Sequence, residues 1–257
     1  MEMNNRVAII TGGSGGIGQA MARAFLAEGA RGIVLADLNA DAVAAAANEL
    51  GVDGMACDVT NEDDIIKVTQ FALDKYGQVD LFCSNAGAGG EGLLTDASNE
   101  VWQKQWELHV MSHVYAARAV LPSMLERGEG YLLNTASAAG LLAALGSGPY
   151  TVTKAAAVKF AEFVSITHGD EGIRASVLCP QGVNTAMAPR SLGDGQTDGI
   201  IEPDDLAKVV VQSIREERFH VLPHPEVEEY VRRKGDNVDR WLHGMRRLRA
   251  QSQEGAE

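Results

Sequence analysis

Seven short apolar, β-branched runs alternate with six helical patterns along this chain, and that alternation leaves few folds open to it. The strand-like runs are Val7–Thr11, Ile33–Asp37, Met55–Asp58, Leu81–Ser84, Tyr131–Thr135, Ala175–Cys179 and Phe219–Leu222. Between them lie Gly16–Glu28, Ala40–Leu50, Glu62–Tyr76, Glu100–Glu126, Tyr150–His168 and Pro203–Glu216, rich in Ala, Leu, Glu or Val at helical spacing. Strands this apolar keep no face for water, so both faces of their sheet must be covered. The order predicts an α/β fold: a parallel seven-stranded sheet with helices on both faces.

No Pro-rich or Ser-rich linker divides the 257 residues, so one domain is expected over 1–257. One stretch, about 186–201, is dense in turn formers and reads as a substrate loop that covers the site. After Leu222 a charged, Trp-containing helical extension runs over about 224–250. Its Trp241, Met245 and Leu248 share one helical face, which packs either on the same subunit or across an oligomer interface.

The first strand runs into Thr11-Gly12-Gly-Ser-Gly-Gly16-Ile-Gly18, and a helix follows at once. Glycines allow a tight turn and let backbone N–H groups approach a pyrophosphate at the helix N-terminus. Strand, loop and helix in that order point to a dinucleotide. Asp37 ends the second strand, where a carboxylate accepts from ribose hydroxyls and repels a 2′-phosphate. The glycine loop holds no Lys or Arg. The balance favours NAD over NADP.

Tyr150 and Lys154 are four apart, hence on one face of a helix, and Ser137 lies thirteen positions upstream of Tyr150. A phenol beside a fixed ammonium is a route to an acid–base group near neutral pH. Oxidising an alcohol requires both a base for its proton and a donor to the charge developing on its oxygen.

With these residues in place, the chain resembles the short-chain dehydrogenase/reductase family along nearly its whole length. The resemblance rests on Thr11-Gly-x3-Gly16-x-Gly18, Asp58-Val59, Asn85-Ala86-Gly87, Ser137, Tyr150-x3-Lys154 and Pro180 through Thr185. It implies a Rossmann-type, doubly wound fold and hydride transfer between NAD and an alcohol or carbonyl carbon. It further implies that Gly12, Ser14, Gly16, Ile17 and Gly18 hold the cofactor, with Asp37, Leu38, Asp58, Val59, Asn85, Ala86 and Gly87. Pro180, Gly182, Val183 and Thr185 complete that set, the last two holding the carboxamide. By the same resemblance Tyr150 is the acid–base residue, while Lys154 binds the nicotinamide ribose and depresses the phenol pKa. Ser137 bonds the substrate oxygen, and the long helices make oligomer contacts.

Two positions depart from the family pattern. His109 stands where many members place a relay asparagine. It either holds the relay water in that residue's stead or is a helix residue without the role. Gln181 replaces the glycine after Pro180, and its amide either reaches the pocket or is a neutral change. With Ser137, Tyr150 and Met187, Gln181 completes the expected substrate contacts. Candidate pocket walls, Ala88–Glu91, Ala138, Leu141–Leu145, Gln181 and the loop from Met187 to Leu192, are mostly small or apolar, which suits a neutral, fairly hydrophobic secondary alcohol or ketone.

The chain carries 22 Lys and Arg against 35 Asp and Glu, a net charge of −13, which argues against nucleic acid or an anionic membrane as partner. Cys57, Cys83 and Cys179 sit in apolar runs without metal spacing, and no metal is expected. The N-terminus lacks a signal peptide's apolar core, and a soluble cytoplasmic homo-oligomer, tetramer or dimer, is the reading. Two other functions stay open. One is an NADP-dependent 3-oxoacyl-carrier reductase, which Asp37 disfavours; the other is a non-catalytic NAD-binding sensor, which the intact Ser137, Tyr150 and Lys154 disfavour.

Overall fold

All five residues of β1 (Val7–Thr11) are buried, the signature of a central strand covered from both sides. The computed structural model describes residues 1–90, 92–186 and 198–254. From β1 the chain continues through α1 (Gly16–Ala27), β2 (Gly32–Asp37), α2 (Ala40–Leu50), β3 (Asp53–Ala56), α3 (Glu62–Tyr76) and β4 (Leu81–Ser84). Then come α4 (Asn99–Trp106), a π-helical turn (Glu107–Met111), α5 (Ser112–Arg127), β5 (Gly130–Thr135), α6 (Ala138–Leu141) and α7 (Gly148–His168). The last elements are β6 (Ile173–Leu178), β7 (Gly182–Val183), β8 (Ile200–Ile201), α8 (Pro203–Arg215), β9 (His220–Val221), α9 (Glu226–Asp236) and α10 (Val238–Glu254).

The main sheet has seven parallel strands in the order β3-β2-β1-β4-β5-β6-β9, the Rossmann-type arrangement. The chain steps outward from β1 to β3, then crosses back to place β4 on the other flank of β1. Neighbouring loops therefore part at the carboxyl ends of β1 and β4, and a crevice opens there. One apolar layer joins the sheet to α1, α2 and α8 through Met21, Phe25, Val43, Leu206 and Val210. The opposite layer joins it to α3, α5 and α7 through Val68, Val120, Met124 and Val164.

Local chemistry sets the helix ends. Asn39 accepts from the Ala42 N–H, Asn61 from that of Asp63, and Ser147 from that of Tyr150. Gly51 and Gly77 close α2 and α3 in the left-handed region, which glycine enters without strain.

Several boundaries differ by a residue or two from the sequence expectation, and four departures are larger. The third strand is Asp53–Ala56 rather than Met55–Asp58, because it pairs only with β2 and that ladder ends at Asp37↔Ala56. The expected helix Glu100–Glu126 is interrupted by the π-helical turn, which carries His109. The tail is two helices. Asn237 is extended and its side chain caps α10 by accepting from Arg240 N–H at 2.9 Å. Within the expected loop 186–201, Ile200–Ile201 pairs with Gly182–Val183; residues 187–197, Met187 among them, and Glu91 lie outside the described residues.

Candidate active site

The glycine loop follows from backbone contacts that leave no room for side chains. Gly12 has φ +64°, and a Cβ on Gly18 would stand 2.3 Å from the Gly12 carbonyl oxygen. A Cβ on Gly16 would meet the Thr185 methyl at 3.0 Å, so the first turn of α1 and the segment after β6 touch here. No side chain caps α1, whose N-cap is Gly15 and whose first turn holds no acid. Its first N–H groups are therefore left for an anion. These features fit a dinucleotide pyrophosphate.

At the end of β2, Asp37 Oδ2 accepts from both the Ser14 N–H (3.0 Å) and the Ser14 hydroxyl (2.7 Å). Ser14 thus aims the carboxylate, whose Oδ1 has, among the described residues, a single long contact from the Asn39 N–H at 3.4 Å. Leu38 beside it is exposed. Asp58 Oδ1 accepts from the Thr60 N–H and hydroxyl, a tight Asx turn next to buried Val59.

Three strand-end side chains and Lys154 of α7 form one network. Thr11 Oγ1 accepts from the Asn85 and Ala86 N–H groups at 2.9 and 3.1 Å and donates to the Cys83 carbonyl. Asn85 Nδ2 donates to the Thr11 carbonyl, and its Oδ1 accepts from Thr135 Oγ1. The Thr135 carbonyl in turn accepts from Lys154 Nζ at 3.0 Å. Asn85 therefore ties β1, β4 and β5 together, and the tie continues to the ammonium. Gly87 passes against Lys154 and His109, where a Cβ would lie 3.4 Å from Nζ.

Ser147, with Pro149 in the first turn, starts α7 and delivers Tyr150 and Lys154 to the crevice. Lys154 is buried; desolvation pushes its ammonium down to about 8. Its Nζ lies 5.6 Å from the centre of the Tyr150 ring. Burial raises the Tyr150 phenol, and hydrogen bonding from Ser137 offsets only part of that rise; the depression expected from Lys154 is not among the effects on it. Ser137 is the N-cap of α6: its Oγ accepts from the Ala139 N–H at 3.2 Å and lies 3.4 Å from the Pro180 carbonyl.

His109 is fully buried and edge-on to the Tyr150 ring, with centroids 5.5 Å apart. Its Nε2 accepts from the Ala88 N–H at 3.2 Å, so the proton resides on Nδ1 and is given to Thr153 Oγ1 at 3.1 Å. Thr153 passes its own proton to the Pro149 carbonyl. Both imidazole nitrogens are thus engaged within the chain. Desolvation, with Lys154 and His113 acting the same way, pushes His109 down to about 2.

The Gln181 amide nitrogen donates to Asp198 at 2.7 Å, while its Oε1 is buried without a partner among the described residues. A cleft of about 460 Å³, lined by Leu93, Leu94, Ala143, Ala144 and Leu145, opens beside the first turn of α7; Gly148 and Thr151 line it, although Tyr150 does not. Arg249 of α10 stands at its edge. The sequence reading took Thr11 only as the start of the glycine motif and missed Thr135 and Thr153, whose hydroxyls look like those of ordinary strand and helix residues. Their only signal is adjacency to Ala136 and Lys154.

Residues 6–194 match the short chain dehydrogenase family. The chain is similar to 1-deoxy-11-beta-hydroxypentalenate dehydrogenase of Streptomyces exfoliatus, with 32% identity across 95% of this chain and 91% of that protein. It is also similar to 3beta-hydroxysteroid dehydrogenase 2 of Eggerthella lenta, with 35% identity across 70% of this chain and 72% of that one. Among solved structures, a short chain dehydrogenase/reductase from Burkholderia phymatum in complex with NAD superposes with a TM-score of 0.84. It has 29% identity and covers 93% of this chain and 96% of that one. Among the described residues, no helix is long and apolar enough to cross a membrane.

Proposed function

This chain belongs to the short chain dehydrogenase family of oxidoreductases, and on that premise we propose that it interconverts a secondary alcohol and its ketone with NAD. The observation that carries the reading is the convergence of Ser137, Tyr150 and Lys154 on the crevice that opens beside the uncapped N-terminus of α1. When bound, NAD supplies the hydride acceptor. Gly12, Gly16, Ile17 and Gly18 hold its pyrophosphate, and Asp37, aimed by Ser14, takes the adenosine ribose. Asp58, Val59 and Leu38 flank the adenine, with Asn85, Ala86 and Gly87 along the floor. Pro180, Gly182, Val183 and Thr185 border the nicotinamide.

The chain's own chemistry is the movement of one proton. Ser137 donates a hydrogen bond to the substrate oxygen, and Tyr150 takes the alcohol proton during oxidation and returns it during reduction. Burial keeps the phenol protonated in the free protein, which is the form that ketone reduction requires. Lys154, anchored on Thr135 by one of its three N–H donors, has two left for the nicotinamide ribose. His109 braces the Ala88 amide and Thr153 beneath Tyr150 rather than passing a proton itself.

NAD is preferred because a 2′-phosphate would meet the Asp37 carboxylate with no Lys or Arg nearby in the loop to offset it. The apolar cleft and the names of the two relatives support a fairly hydrophobic hydroxy compound as substrate, and the NAD complex of the structural neighbour supports NAD as the cofactor. We place homo-oligomer contacts on α7, where Phe163 and Ile166 are 64% and 80% exposed. The test is purified protein with NAD or NADP and a panel of alicyclic alcohols and ketones, following reduced nicotinamide. Tyr150→Phe lowers kcat by about 10²–10⁴-fold and leaves NAD affinity within threefold (about 0.7 kcal/mol). Turnover that survives in this variant refutes the assignment.

A further inference from the structure

Two side chains of the C-terminal extension reach the segments that carry Ser137, and neither belongs to the cofactor site. Tyr230 and Lys234 are four apart on α9 and share a face. The Tyr230 hydroxyl donates to Asp198 Oδ1 at 2.8 Å, and Asp198 Oδ2 accepts from Gln181 Nε2 at 2.7 Å. The Gln181 backbone N–H donates to His224 Nδ1 at 3.2 Å, which binds the same turn to the start of the extension. The residue before Gln181 is Pro180, whose carbonyl accepts from the Ala138 N–H at 2.9 Å and faces the Ser137 hydroxyl. One side of Ser137 is thereby linked to α9.

Lys234 secures the other side. Its Nζ donates to the Leu141 carbonyl at 2.6 Å, at the end of the four-residue helix α6 that Ser137 caps. A single helical turn does not hold itself together, because nucleation costs more than its one or two hydrogen bonds return. An ammonium on its carbonyl end supplies the missing support. Lys234 is itself kept in place by Trp241 of α10, whose ring centre is 4.8 Å from Nζ. The contacts close into a circuit from α9 through α6, Ser137, Pro180, Gln181 and Asp198 back to α9. Gln181 is indispensable to it: the glycine that the family pattern places after Pro180 has no side chain to reach Asp198.

We propose that α9 straps the active site, with Tyr230 and Lys234 as positioning residues that set the Ser137 hydroxyl against the substrate oxygen from two sides. This rests on the dehydrogenase reading of the Ser137 site. Tyr230→Phe and Lys234→Met each lower kcat by about 10–100-fold, the range expected for a misplacement of about 1 Å, while KM and NAD affinity stay within about threefold. Lys234→Arg, which keeps a cationic donor, restores most of kcat. The Gln181→Gly variant, already slowed, makes Tyr230→Phe silent because both substitutions cut the same chain of bonds; Lys234→Met remains costly in that background.

Amide hydrogen exchange provides a readout that needs no substrate. In Tyr230→Phe and Lys234→Met, the Ala139 and Leu142 N–H groups exchange about tenfold faster, equivalent to about 1.4 kcal/mol of lost protection. Unchanged exchange at these amides, or an undiminished effect of Tyr230→Phe in the Gln181→Gly background, overturns the strap. A protein that turns over no alcohol yet shows the faster exchange retains the strap and loses the dehydrogenase reading.

Discussion

Lowering the pH from 7 to 5 withdraws about 4 kcal/mol of stability through two imidazoles that the fold keeps neutral. His109 and His113 are 0% and 1% exposed, and burial pushes them down to about 2 and about 3. Lys154 acts in the same direction on both, and His113 adds to the depression of His109. In the unfolded chain each titrates near 6.5. Below that value the unfolded state binds more protons, so stability falls as pH falls from 6.5 toward the folded values. At pH 5 the gap is about 1.5 units per ring at about 1.4 kcal/mol per unit, or about 2 kcal/mol each. The result holds for any folded value below about 4. Unfolding the parent and His113→Leu in urea at pH 5, 6 and 7, at one protein concentration, checks this. His113 stacks on Phe160 and neither ring nitrogen has a partner among the described residues, so leucine fits the site and removes two orphaned polar atoms. The variant is expected to be as stable as the parent or better at pH 7, and its loss between pH 7 and 5 is about 2 kcal/mol smaller. An equal loss in the two proteins means that His113 is not held neutral, and the burial argument fails.

Two further predictions concern the cofactor. Asp37→Ala removes charge-assisted bonds to the ribose hydroxyls, about 1.5–3 kcal/mol, so kcat/KM for NAD falls roughly 10–100-fold while that for NADP rises; steady-state kinetics with both cofactors measures the ratio, and an unchanged ratio refutes the role given to Asp37. Gly18→Ala drives a methyl to 2.3 Å from the Gly12 carbonyl oxygen and 2.9 Å from Gly13 Cα, both backbone atoms that do not rotate away. It costs about 1–3 kcal/mol of stability and at least tenfold in NAD affinity by calorimetry, and binding within threefold of the parent refutes the loop geometry.

How much of this was legible in the sequence depends on whether a feature is encoded locally. The glycine loop, Asp37 and the Tyr150–Lys154 spacing were readable because each imposes its requirement within a few residues: a turn, a strand end, a helical period. The sheet followed because apolar strands alternated with helices. Long-range partnerships were not readable. For Asn85 the family resemblance implies support of the fourth strand beside the cofactor, but not that its side chain joins three strands across separations of 74 and 50 positions. The break at Asn237 was hidden for a related reason, since an asparagine between two helical patterns becomes a cap only if the chain turns there.

His109 illustrates the limit most sharply. Sequence alone left it either a proton relay or a passive helix residue, because an imidazole suits both. The π-helical turn delivers it beneath Tyr150, and the Ala88 N–H then occupies Nε2 while Thr153 occupies Nδ1. With both nitrogens hydrogen-bonded inside the chain and protonation displaced to about 2 by burial, the ring stays neutral near neutral pH. The role we propose for it is geometric: it ties the loop after β4, at Ala88, to Thr153 in the second turn of α7. His109→Asn keeps a donor and an acceptor but shortens the bridge. It is expected to loosen Tyr150 and lower kcat without moving either limb of the pH profile. A shifted limb would return His109 to the proton path.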